Sequence, residues 1–123
     1  MKEYVNGIYP RRLWICTQTE LEQCKDCFIL SENGEDIDLD DVIGYSAVVW
    51  NVQHCHYGYG LLVFIVNKLT PRQIAHEAAH VTLEIFKDCD CRVDYENQEP
   101  FAYLLGWAYE CIEQFEKLIN DNK

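Results

Sequence analysis

The sequence predicts an α+β fold, with strands in the N-terminal half and helices in the C-terminal half. Three observations carry this. Runs of bulky and β-branched residues at 12–17, 45–53 and 61–66 are separated by turn-type segments. Thr70-Pro71-Arg72-Gln73 combines an N-cap threonine, proline at the first helical position and glutamine three residues after the cap, a helix-start signature. Beyond it, apolar residues recur at three- and four-residue spacing to about position 119. The chain has 123 residues, of which 49% are hydrophobic and 25% charged, enough for a buried core in one domain spanning 1–123.

Residues 12–17 form the first expected strand and 17–24 a short helix. Residues 28–30 are a short strand before the Asn33-Gly34 turn signal, and the acidic run 31–41 is a solvated loop. Segment 45–53 should pair antiparallel with 61–66 through a connection, 54–60, that holds Gly58 and Gly60. Because 61–66 is apolar throughout, it suits a central strand covered on both faces. The first long helix is expected over 71–87. Its apolar band is Ile74, Ala75, Ala78, Ala79, Val81, Ile85 and Phe86; Gln73, His76, Glu77, His80 and Glu84 gather on the other side. After a loop at 88–96, a second helix should run over 97–119, with Pro100 tolerated in its first turn. Trp14, Trp50 and Trp107 are expected in or at the edge of the core.

Ten Lys and Arg against 21 Asp and Glu give a net charge of -11, which repels phosphate backbones and anionic headgroups. Nucleic acid and membrane surfaces are therefore not expected partners. The longest apolar run is far shorter than the ~18 residues of a membrane span. Seven cysteines, an odd number, with no apolar leader and cleavage site, point to a reducing cytoplasm. Cys24-x-x-Cys27 and Cys89-x-Cys91 have some of the spacing of a thiolate zinc site, but the second pair is too close, and all four are read as ordinary thiols. His54-Cys55-His56 reads as a polar hairpin end.

The chemistry lies in His76-Glu77-Ala78-Ala79-His80, an H-E-x-x-H pattern inside the first long helix. Histidines at i and i+4 share a helix face, so both rings can reach one metal ion at about 2.0–2.1 Å. Glu77 is ~100° around the helix from His76, a position suited to a general base acting on water at the metal. A third ligand decides the class. A metzincin would place a histidine where Phe86 stands, and no histidine follows His80, so that class is excluded. Glu99, at the start of the second helix, is the expected third ligand, with Glu96 in reserve.

His76-Glu77-x-x-His80, eighteen intervening residues and then Glu99 resemble the gluzincin arrangement, in particular that of the zinc aminopeptidases. Their third-ligand glutamate lies in Asn-Glu-Gly-Phe-Ala; here Asn97-Gln98-Glu99-Pro100-Phe101-Ala102 has one inserted residue and Pro for Gly. The chain is also similar to small zincin-like proteins of phage and bacterial genomes. The resemblance covers about a third of the chain, residues 70–109. It implies a minimal zincin-like domain, with a small, twisted, mostly antiparallel sheet packed on the H-E-x-x-H helix and a second helix carrying the glutamate. It further implies one zinc per chain held by His76, His80 and Glu99, Glu77 as general base, and a peptide or protein substrate. The Gly-x-Met-Glu-Asn element that reads a substrate amino terminus is absent, so aminopeptidase specificity does not transfer. No residue can be singled out as the oxyanion-stabilising electrophile: Tyr95, Tyr103, Tyr109, His54, His56, Tyr57 and Tyr59 are all open candidates. Glu84, one turn beyond His80, is a candidate to orient that ring. Two His and one carboxylate also suit ferrous iron, although the helical H-E-x-x-H context favours zinc. A second possibility, from another class, is a catalytically silent protein on this scaffold that binds or inhibits a protein partner.

Overall fold

The structure, a computed structural model, describes residues 1–121 and divides into two compact units, Met1–Lys68 and the chain from Leu69 onward. Among the described residues the fold is α+β, with a five-stranded mixed sheet and three α-helices. The N-terminal unit holds β1 (Lys2–Val5), β2 (Arg12–Thr17), α1 (Gln18–Cys24), β3 (Phe28–Leu30), β4 (Ala47–His54) and β5 (Gly58–Ile65). The C-terminal unit holds α2 (Pro71–Asp88) and α3 (Glu99–Asp121).

The strand order is β1-β2-β5-β4-β3, so the apolar run does form the central strand. Three pairings are antiparallel, and the fourth, β2 with β5, is parallel. On one face Trp14, Cys16, Val52, Leu62 and Phe64 pack with Leu21, Phe28, Ile37 and Val42. Leu13, Ile15, Leu61, Val63 and Ile65 alternate with them and are also buried. β1 was not expected. It is largely exposed and carries no apolar alternation, and it is held in place by pairing with β2. Its Glu3 accepts hydrogen bonds from Arg12 Nη1 (2.8 Å) and Trp14 Nε1 (3.1 Å).

The hairpin connection is tighter than 54–60. Gly58, at φ 78°, adopts the left-handed conformation at the turn. Gly60 belongs inside β5 and serves a different purpose: a Cβ there would run into the Trp14 ring and the Arg12 carbonyl oxygen. The tryptophan therefore lies directly across the neighbouring strand's backbone.

In the C-terminal unit the capping box forms as expected. Gln73 N–H donates to Thr70 Oγ1 (3.2 Å), and Thr70 N–H donates to Gln73 Oε1 (2.9 Å). α3 begins at Glu99, two residues later than the sequence suggested, because residues 94–97 close a turn in which Glu96 N–H donates to Asp94 Oδ1 (2.9 Å). The two helices run antiparallel. Phe86 meets Phe101 edge-on at 5.9 Å near one end, and Leu69 N–H donates to Glu116 Oε1 (3.2 Å) at the other. One assignment of faces needs correction: Ala75 is exposed, whereas Glu77 and Thr82 lie on the buried stripe with Ile74, Ala78, Val81 and Ile85. Residues 74, 77, 78, 81, 82 and 85 follow the helical repeat more closely than the hydrophobicity pattern did. Thr82 is satisfied by donating to the Ala78 carbonyl (2.8 Å), which leaves Glu77 as the charged group in the stripe. Among the described residues, no helix is long and apolar enough to cross a membrane.

Candidate metal centre

The helix-start signature places His76 and His80 in the second and third turns of α2, on its exposed side. Their rings lie 4.8 Å apart between centroids, and the two Nε2 atoms face each other at 3.2 Å. Two donors bound at 2.0–2.1 Å to a tetrahedral ion stand about 3.3 Å apart, so this spacing fits one zinc ion. Two imidazole lone pairs cannot face each other with nothing between them. Either one neutral ring donates an Nε2–H to the other, or a cation takes that place.

Glu77 is only 8% exposed. Its Oε1 lies 3.9 Å from His76 Nε2. Burial pushes its carboxyl pKa up, while the neighbouring His76 and His80 pull it back down. A desolvated carboxylate holds a proton more readily than an exposed one, and the two imidazoles oppose this.

The other expected site residues are placed differently. Phe86 and Phe101 set the register of the helix pair, so the first turn of α3 stands beside the last turn of α2. His80 precedes Phe86 by six residues, roughly 9 Å of helix, and Glu99 lies on the far side of Phe101. Side chains tilt toward the start of their own helix, which widens this gap. Among the described residues, no third His, Cys, Asp or Glu joins the two histidines in a set of donors within 4.8 Å of one another. Glu96 is exposed in the turn before α3. Glu84 is half-buried, 3.9 Å from Lys87 Nζ. Tyr103 is exposed two residues past Phe101, while the half-buried Tyr109 is eight past it and hence level with the histidines. Glu110, which the sequence reading did not consider, shares that height.

Sequence reasoning also missed a set that the sheet assembles. Phe28 pairs with His54 across β3 and β4, so Cys27 stands opposite Cys55, and Cys55 N–H donates to the Cys27 carbonyl (2.8 Å). The donor atoms of Cys27, His54 and Cys55 lie within 4.8 Å of one another. Cys24, the other cysteine of the Cys24-x-x-Cys27 spacing, has its Sγ 3.9 Å from Met1 Sδ. The hydrogen bond with Cys55 pushes the Cys27 thiol pKa up, followed by desolvation and the nearby Cys55 and Asp26 charges. Burial pushes the His54 pKa down, helped by His56. The register of β3 on β4 was the signal that would have found this set.

Comparison of the chain with protein-family models, with curated proteins and with solved structures gives no match.

Proposed function

We propose that the protein is a zinc-dependent hydrolase of the gluzincin type, acting on a peptide or protein in the cytoplasm from a zincin-like scaffold. The observation that supports this most is the His76–His80 pair, with Nε2 atoms 3.2 Å apart and the buried Glu77 3.9 Å from one of them. A zinc ion held there supplies acidified water and a polarised carbonyl. Glu77 takes the proton from the attacking water and passes it to the leaving amine. Its burial keeps bulk water from competing for that proton. Tyr109, level with the histidines, is the best-placed candidate to steady the developing oxyanion. Glu99 is the third donor that the resemblance supplies, and in that role it must close an axial offset from His80 of roughly 12 Å; Glu110 is a carboxylate of α3 nearer their height.

That offset of Glu99 favours a second reading, a silent scaffold that binds or inhibits a protein partner. A peptide-library digest with zinc-loaded protein separates the two. Hydrolysis should appear, vanish on adding a zinc chelator and return when zinc is restored. Glu99→Gln and Glu110→Gln, run in parallel, report which carboxylate the activity needs. Zinc bound at His76 and His80 without cleavage of any peptide would overturn the hydrolase and leave the binding protein.

A further inference from the structure

We propose that Cys27, His54 and Cys55 form a second metal site in the N-terminal unit, for a soft or borderline divalent cation such as zinc. The argument does not depend on the hydrolase reading, because these residues belong to the N-terminal unit and offer sulfur as well as nitrogen.

The sheet builds the site. Antiparallel pairing of β3 with β4 sets Cys27 opposite Cys55, and the 2.8 Å bond from Cys55 N–H to the Cys27 carbonyl pins the two backbones. The three donor atoms are mutually within 4.8 Å. A tetrahedral zinc, with sulfur at 2.3 Å and nitrogen at 2.0–2.1 Å, needs separations of about 3.4–3.8 Å. The 4.8 Å ceiling exceeds that range by at most about 1 Å, a distance within reach of side-chain rotation. Asp26 lines the same surface pocket and offers a carboxylate, or a water held by it, for the fourth position. Cys55 is exposed and Cys27 and His54 are half-buried, so an ion can enter from solvent.

The imidazole is held in place. His54 stacks on Trp14 (5.5 Å, 23°) and meets Phe28 edge-on (4.9 Å). Its Nδ1 accepts the backbone N–H groups of His56 (3.0 Å) and Tyr57 (3.3 Å). In the neutral ring the proton therefore sits on Nε2, and coordination through either nitrogen gives up those two amide bonds, since a metal on Nε2 moves the proton to Nδ1. Both belong to an exposed turn, where water or the Cys55 sulfur can take them over. This exchange makes His54 the weakest of the three donors, and the thiols carry most of the affinity. Binding is balanced by release of both thiol protons: two Cys–SH and a divalent ion give two metal–sulfur bonds and two protons. Thiolate donors select zinc over magnesium or calcium.

Cobalt(II) is the probe, titrated into the fully reduced chain without oxygen. Sulfur ligation produces a near-ultraviolet sulfur-to-cobalt charge-transfer band, which a nitrogen and carboxylate site cannot give. In His76→Ala, where the α2 pair cannot compete for cobalt, the band should saturate at one equivalent; it should disappear in Cys27→Ser and Cys55→Ser and persist in Cys24→Ser. His54→Ala should keep the band but move its titration to higher cobalt. Cys55→Ser, at an exposed position, keeps the test decisive should Cys27→Ser fold poorly by circular dichroism. Absence of the band in the reduced wild-type chain overturns the proposal, as does a band that Cys24→Ser removes and Cys55→Ser leaves intact.

Discussion

Glu77→Gln is expected to lower peptide hydrolysis by roughly 10²–10⁴-fold, the usual worth of a positioned general base, while zinc stays bound. Glutamine keeps the size of the side chain and removes only its capacity to take a proton. The same substitution should leave the thermal midpoint unchanged or raise it. The carboxylate is buried and its pKa is pushed up by desolvation, so its charge opposes folding. A purely structural Glu77 behaves in the opposite way: its loss lowers the midpoint and leaves turnover in proportion to folded protein. Rates per bound zinc, read beside thermal unfolding of the same preparations, separate the two. Undiminished turnover in Glu77→Gln removes the residue from the chemistry.

The second large effect concerns stability at alkaline pH. Burial pushes the thiols of Cys16 and Cys111 from the ordinary 9.0 up to about 12. The neighbouring Cys24 adds to this for Cys16, and Glu110 for Cys111. Below the unfolded value both states keep the proton and the thiols are neutral to stability. Above it the unfolded chain releases the proton while the folded one holds it, so stability falls as pH climbs from about 9 toward 12. Each thiol accounts for a loss on the order of 4 kcal/mol across that window. Urea unfolding at a series of pH values should show this slope in the wild type and a shallower one in Cys16→Ala and Cys111→Ala. Cys16 lies in the N-terminal unit and Cys111 in the C-terminal one, so the two variants sample a buried thiol in each. Identical slopes in all three proteins would mean that the thiols titrate equally in both states.

What could be read from sequence followed local physics. The start of α2 was legible because Thr70, Pro71 and Gln73 act within one turn, and β5 was legible because a wholly apolar run has nowhere to go but the centre of a sheet. β1 was not, since its four residues are mostly exposed and its place depends on pairing with β2. The parallel contact of β2 with β5 was equally hidden, because it arises only after the chain has passed through α1, β3 and β4. The candidate centre divides in the same way. The approach of His76 to His80 follows from the pitch of one helix. The position of Glu99 depends on how α3 slides along α2, which the Phe86–Phe101 and Leu69–Glu116 contacts decide. The burial of Glu77 escaped notice because a charged residue was assigned to the polar side by its chemistry and not by its angle. Cys27 and Cys55, far apart in sequence, become neighbours only through strand register.

Zinc stoichiometry of untagged protein carrying both Cys27→Ser and Cys55→Ser tests the central claim most directly, since the thiol site is then silent. One zinc per chain in that background, lost when His76→Ala is added, is the predicted result. No zinc in the double variant, or zinc that His76→Ala does not displace, would contradict a metal centre on α2.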